Sequence, residues 1–303
     1  MRRKFIIKLE GGLGNQLFQY AHAVALASAY GGEIVFDKHA FNEKQIRACA
    51  LENYVLNDYT RTRINIVEKA VVFFYLVLAR VVRKGKFAKT EIAYRKLCKA
   101  GLYNQYQVRW FDSLVKPQVR VNYVMGNWIS ERFFDVATED VKSALYYKNA
   151  LPTKCDAIRR EIANCESVCV HIRLGDYLSP QWKDKLFVCT PDYYRQAIEV
   201  VKHKVANPHF YIFSNRHKDF EMIKQEYDLG DVTYVDMGNS DVEDMELMRS
   251  CKHFIMSNST YSWWGQYLAE SPNKVVVAPS RFNNYPQWDM SDIYQDNWII
   301  IEV

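Results

Sequence analysis

Between residues 167 and 278, short apolar runs alternate with longer amphipathic stretches. The runs are SVCVHI (167–172), HFYIFS (209–214), VTYV (232–235), HFIMS (253–257) and KVVVA (274–278). The intervening segments are PDYYRQAIEVVKHKV (191–205), KDFEMIKQEY (218–227), DVEDMELMRS (241–250) and TYSWWGQYLAE (260–270). Strand runs separated by amphipathic helices predict a parallel sheet built from βαβ units, a Rossmann-like domain. Pro191 at the start of one helix and Gly230 after the next agree with ordinary start and stop chemistry.

The first half opens in the same way. KFIIKLE (4–10) reads as a strand, GGLGN as a glycine-rich turn, QLFQYAHAVALASAYG (16–31) as a helix ending at Gly31, and GEIVFD (32–37) as the next strand. The pattern then loses its regularity. Residues 60–115 read as mostly helical and basic, a helical insertion, and YVMGNW (123–128) as a strand returning to the sheet. With 303 residues the chain is long for one core, and NALPTKC (149–155) marks a boundary. The expectation is an α/β protein with domains 1–150 and 151–303, two Rossmann-like halves facing each other across a ligand cleft.

Composition narrows the chemistry only a little. The net charge of +5, from 40 basic and 35 acidic residues, is too small and too dispersed to predict a nucleic-acid partner, though it suits an anionic small substrate. The 7 cysteines show no CxxC pair and no nearby zinc-finger histidines, so reduced thiols of a cytoplasmic protein are expected. The N-terminal apolar run is too short for a signal peptide. Residues 70–89 hold an apolar run, Ala70 to Ala79, well below the ~20 residues needed to span a bilayer. Two readings stand there. One is a buried helix. The other is peripheral contact with the inner face of the cell membrane, Phe73, Phe74 and Leu78 dipping into lipid while Arg80, Arg83, Lys84 and Lys86 meet head groups.

The polar chemistry collects at strand ends, where ligands of parallel sheets gather. In VCVHIRLGDYL (168–178), the strand's period of two points His171 and Arg173 the same way, and Gly175 permits a turn returning Asp176 toward them. A guanidinium there suits a pyrophosphate, His171 a base, ribose or phosphate, and Asp176 a clamp on Arg173 or a base. In MSNSTYSWWGQYLA (256–269), Ser257, Asn258, Ser259, Thr260 and Ser262 straddle a helix start and read as a phosphate cradle. Trp263 and Trp264 offer either a platform for a sugar ring or core. Ser214, Asn215, Arg216 and His217 end a third strand, where a base or ribose could be read. Gly11, Gly12 and Gly14 let backbone approach an anion, with Asn15 and Gln16 directly after them. The turn lacks the third glycine of a dinucleotide fingerprint and the Gly-Lys-Ser/Thr of a P-loop. No two aspartates are separated by a single residue, so the paired carboxylates that often hold a nucleotide diphosphate through a divalent cation are missing. No metal and no cofactor are expected.

Taken in order, GGLGNQLFQYAHAVALA, MGNWISERFF, VHIRLGDY, YIFSN and SNSTYSWWGQYLA resemble the successive motifs of the α-1,2-fucosyltransferases of glycosyltransferase family 11, over residues 11–269. The resemblance implies a GT-B-like fold, an N-terminal acceptor-side domain and a C-terminal domain for the nucleotide sugar. It also implies metal-independent, inverting transfer of fucose from GDP-L-fucose to a 2-hydroxyl, usually of a β-linked galactose in a glycan acceptor. By the family's logic Arg173 binds the β-phosphate and supports its departure, His171 contacts the nucleotide, Ser259 and Thr260 the pyrophosphate, and Asn15 lies at the fucose or the leaving oxygen. Asn15, Arg173 and Asp176 are thus the expected catalytic residues. Gly12, Gly14, His171, Ser214, Asn215 and Ser257 to Thr260 are expected at the donor. One position departs from the pattern: where related bacterial sequences tend to carry a carboxylate after Phe-Ser, this chain has Asn215. An amide cannot accept both guanine N–H groups, so base reading falls to another residue or is looser. For the general base Asp176, Glu10 and Asp184 all remain open. The competing readings are a transferase of another GDP-sugar and a carbohydrate-binding protein on a decayed transferase scaffold. A dehydrogenase, with Asp37 as its ribose acid, fits least well.

Overall fold

The computed structural model describes residues 2–41, 49–83 and 90–303 and divides into two compact units, Met1–Lys148 and Asn149–Val303. In the first, strands β1 (Lys4–Lys8), β2 (Glu33–Asp37), β3 (Thr60–Arg61), β4 (Leu102–Asn104) and β5 (Val121–Met125) form a parallel sheet in the order β3-β2-β1-β5-β4. Its helices are α1 (Leu13–Tyr30), α2 (Ile66–Arg83), α3 (Glu91–Lys99) and α4 (Thr138–Ala144). The second unit contains, in chain order, α5 (Thr153–Ala163), β6 (Glu166–His171), α6 (Lys183–Leu186), α7 (Pro191–Lys204), β7 (Pro208–Phe213), α8 (His217–Glu226) and β8 (Thr233–Tyr234). It continues through α9 (Asp241–Ser250), β9 (His253–Ile255), α10 (Thr260–Leu268), β10 (Val276–Pro279) and β11 (Ile299–Ile301). Its sheet is also parallel throughout, ordered β11-β10-β9-β6-β7-β8.

Both sheets are covered on each face, so their central strands are apolar almost without a break. Phe5, Ile6 and Ile7 of β1 are buried, as are Val168, Cys169 and Val170 of β6. Side chains of α7, including Tyr193, Tyr194, Ala197, Ile198 and Val201, pack with Val168, Val170, Phe210 and Ile212 into one core. Burial of this kind, at roughly 25 cal/mol per Å² of apolar surface, is the main force holding each unit together. Helix ends follow the sequence signals. Pro191 opens α7, and Ser240 caps α9 in a reciprocal box with Glu243.

Several expectations change. The stretch 60–115 is not simply helical: Thr60–Arg61 and Leu102–Asn104 are strands at the two edges of the first sheet. Two or three residues are too few for a periodic signal, and their hydrogen bonds come from distant segments. Helix α1 starts at Leu13, so Gly14 and Asn15 lie in its first turn rather than in the loop before it. From Ala70 to Val82, α2 is buried on one side only. Val72, Tyr75 and Ala79 pack against Ile6, Val35, Leu102 and Tyr123, while Phe73 and Phe74 are exposed. Leu78, expected to dip into lipid, packs against that same cluster instead. The Arg83 side chain, Lys84 and Lys86 lie outside the described residues. No helix among the described residues is long and apolar enough to cross a membrane.

Candidate active site

The second sheet brings three of the anticipated strand ends side by side, because β6 pairs with β9 on one edge and β7 on the other. Parallel strands end on the same rim, so the segments after His171, Phe213 and Ile255 are neighbours there. Strand β6 stops at His171, two residues before Arg173. The period-two argument therefore does not reach the arginine, and the two side chains part. His171 turns to the start of α10: its Nδ1 lies 2.5 Å from Ser262 Oγ and 3.0 Å from Ser257 Oγ. Burial, assisted by the charge of Arg173, lowers its pKa to about 3, so the ring is neutral at physiological pH. Arg173 turns the other way. Its Nη1 donates to Asn215 Oδ1 at 2.7 Å and its Nη2 to Asp176 Oδ1 at 2.7 Å. Gly175, at φ +37°, makes the turn that returns Asp176 to the guanidinium.

The hydroxyl cradle is smaller than the sequence implied. Ser257, Asn258 and Ser262 are buried and bond within the domain. Asn258 Nδ2 donates to the carbonyls of Leu186 (2.8 Å) and Phe282 (2.9 Å), and Ser257 and Ser262 bond each other and His171. These three brace the helix mouth from behind. Ser259, also buried, is the N-cap of α10, its Oγ accepting from the Tyr261 N–H, and Thr260 follows half-buried. Ser214 is likewise internal, its Oγ donating to the Ile172 carbonyl at 2.8 Å. Trp263 and Trp264 are fully buried, so the sugar-platform reading is withdrawn for both; Trp263 Nε1 donates to the Ile293 carbonyl. At the end of β7, Arg216 makes a two-pronged ion pair with buried Asp219, and His217 Nδ1 meets Asp236 at 2.5 Å.

Gly12, Gly14 and Asn15 belong to the first unit, at the end of β1. Gly11 has φ +81°, and a Cβ there would lie 2.9 Å from Asn15 Nδ2, so the amide side chain closes over a position only glycine fills. Gln16 is buried and acts as support, its Nε2 donating to the Gly11 carbonyl and its Oε1 accepting from Ala50 N–H. Gln19 pins the turn from one helical turn further on, bonding both the N–H and carbonyl of Glu10.

Of two further groups, the sequence reading named one only as a dehydrogenase's ribose acid and did not name the other. At the end of β2, Asp37 is buried and accepts from Tyr123 Oη at 2.8 Å, with His39 Nδ1 at 2.8 Å from both carboxylate oxygens. Burial alone would raise its pKa, but these hydrogen bonds outweigh it and hold the carboxyl below its ordinary value. His39 is raised in turn, chiefly by its bond to Asp37. The signal was present, an acid closing a strand beside the glycine turn, but Tyr123 is 86 residues away. Second, Asp244 near the start of α9 is pushed to about 7 by burial, against the bond from Asn239 Nδ2. Of the open base candidates, Asp176 is held on Arg173, Glu10 is ion-paired with Lys8, and Asp184 is exposed on α6. Among the described residues no group of three or more His, Cys, Asp or Glu side chains is arranged to hold a metal ion.

A parallel rim carrying a braced guanidinium beside a hydroxyl-capped helix start is suited to a phosphorylated leaving group. The chain is 27% identical to the alpha-1,2-colitosyltransferase of Escherichia coli over 98% of both sequences. It is 37% identical to the human galactoside alpha-(1,2)-fucosyltransferase 1 over 34% of this chain and 28% of that one. Among solved structures it resembles the fucosyltransferase NodZ from Bradyrhizobium, with TM-score 0.56 and 14% identity over 89% of this chain and 94% of that one. That likeness fixes the GT-B fold class. The sequence profile of Glycosyl transferase family 11 matches residues 102–302, and on that match the chain belongs to glycosyltransferase family 11.

Proposed function

We propose that this transferase moves L-fucose from GDP-L-fucose to the 2-hydroxyl of a β-galactoside in a glycan or surface polysaccharide, with inversion and without a metal ion. The observation that carries the reading is Arg173, held from two sides at the end of β6 beside the mouth of α10. Its two fixed contacts leave a planar, permanently charged fork at the strand end, suited to a diphosphate. As the fucosyl C1–O bond to GDP lengthens, negative charge grows on the β-phosphate, and Arg173 with the Ser259–Thr260 helix start would stabilise it. The sugar carbon gains oxocarbenium character, the acceptor oxygen bonds to it from the opposite face, and the hydroxyl proton leaves to a carboxylate or to water. Asn15 in the first unit is proposed at the fucose, with Gly12 and Gly14 shaping its helix start. Asp176 and Asn215 position Arg173. His171, Ser214, Ser257 and Asn258 shape the donor site from behind.

A second reading has one specific support, the full-length similarity to a protein named as a colitosyltransferase. Transfer of another GDP-linked sugar would use the same residues. The test is GDP release from a panel of nucleotide sugars, with and without β-galactosides, in the presence of EDTA. Release that requires GDP-fucose and a galactoside supports the proposal. Release with a different GDP-sugar supports the second reading. No release with any donor points to a binding protein, and activity lost in EDTA and restored by a divalent cation overturns the metal-free scheme.

A further inference from the structure

Helix α2 is apolar on two opposite sides, and among the described residues only one of them has a partner inside the protein. Val72, Tyr75 and Ala79 face the first sheet, with Tyr75 Oη donating to the carbonyls of Ala100 and Val121. At 100° per residue, Ile66, Ala70, Phe73, Phe74, Val77 and Val81 fall within an arc of about 100° on the other side. All six are exposed, Ile66 by 79%, Phe73 by 69% and Phe74 by 62%. Val67, 68% exposed, borders them. Scattered exposed apolar residues are ordinary; a continuous stripe along about four turns is not.

The charges around this stripe decide what it fits. Lys69 and Arg80 are exposed along one edge, with Arg63 just before the helix. The helix contains a single acid, Glu68, and it points inward. Glu68 is buried, its Oε1 taking Lys4 Nζ at 2.7 Å and Arg61 Nη2 at 2.5 Å. Those ion pairs hold its pKa down to about 2 even though burial opposes them, so it stays anionic and engaged. The outer side is therefore apolar and cationic, with no acid of its own. A protein partner would meet the stripe but has no need of a one-sign edge. An anionic bilayer matches both features, acyl boundary for the phenylalanines and head-group phosphates for Lys69 and Arg80.

We infer that the outer side of α2 is a docking surface for an anionic lipid bilayer, on which this helix lies in the plane of the head groups. The inference stands independently of the donor and acceptor proposed above. It would place the first unit at a membrane surface, where a lipid-linked glycan is presented.

The test is flotation of the full chain with vesicles of phosphatidylcholine alone and of phosphatidylcholine with phosphatidylglycerol. Two double variants accompany it, Phe73→Ser with Phe74→Ser and Lys69→Glu with Arg80→Glu. Binding is expected to the anionic vesicles, weakening with salt, and on the order of tenfold or more weaker in both variants. Thermal unfolding of each variant, expected to stay within a few degrees of the parent, shows that binding and not folding was lost. A parent chain that remains in the soluble fraction overturns the inference. So does equal flotation of parent and variants. Sedimentation showing a dimer that the phenylalanine variant dissociates would instead make this side a self-interface, and would also overturn it.

Discussion

Asn215 accepts a hydrogen bond from Arg173 at 2.7 Å, on the side of the guanidinium opposite Asp176. Asn215 is thus a direct neighbour of the arginine proposed at the donor phosphate. An amide in that place offers a carbonyl oxygen without a second negative charge. Of these two partners only Asp176 is a carboxylate.

Arg173→Ala should lower transfer by ~10²–10³, about 3–4 kcal/mol of transition-state stabilisation, with little change in melting temperature. Arg173→Lys should recover only a small part, since an ammonium cannot bridge Asn215 and Asp176 as a planar fork does. GDP release at saturating donor and acceptor reads both. Half of parental activity in the alanine variant would end the proposed role.

Asn215→Asp keeps the shape and adds a charge. The second carboxylate competes with the donor phosphates for the guanidinium, so KM for the donor should rise by roughly tenfold while the fold is unaffected. The effect should shrink at high salt, because Asn215 is exposed. An unchanged donor KM would remove Asn215 from the positioning of Arg173.

Gly11→Ala addresses the other unit. Its φ of +81° disfavours any side chain, and the new methyl would meet Asn15 Nδ2 at 2.9 Å. Strain and displacement of Asn15 should together destabilise by about 1–2 kcal/mol and lower kcat more than that loss explains. Comparing it with Asn15→Ala separates the contributions. If Asn15→Ala is fully active, Asn15 is not at the reacting sugar.

Acid should unfold the protein early. His171 and His22 are buried and neutral, lowered to about 3 and about 4 mainly by desolvation. Both fall below the unfolded value near 6.5, so their stabilising contribution is complete above that pH and is lost as pH falls toward 4. Each depressed histidine withdraws on the order of a few kcal/mol across this window. His22 also stacks on Trp128 at 3.9 Å, with Nε2 unbonded. In denaturant titrations between pH 7 and 4, His22→Leu should flatten the decline.

Asp244 acts with the opposite sign. Its pKa is raised to about 7 by burial, so the folded state binds the proton more tightly than the unfolded chain. Stability contributed by the protonated form is present below about pH 4 and lost as pH rises to 7. Asp244→Asn should therefore be more stable than the parent at pH 8, with the difference vanishing near pH 4. A destabilised variant at pH 8 would contradict the assigned direction.

Legible in the chain's local pattern were the repeating βαβ order of the second half, the glycine turn at Gly11 and Gly12 into α1, and the gathering of polar residues at strand ends. These features are local: run length, helix period, proline and glycine act over a few residues. Edge strands β3, β4 and β11 escaped it, since strands of two or three residues take their hydrogen bonds from segments far away in the chain. Tertiary structure alone decided which of the polar residues remain available. Arg173 and Asn215 meet across 42 residues, and His171 and Ser262 across 91. A serine that caps a helix and one that braces a histidine look alike in sequence. Only the hydrogen bonds of the folded chain tell Ser259, which caps α10, from Ser257 and Ser262, which brace His171, and only packing buries Trp263 and Trp264 and leaves the stripe on α2 uncovered.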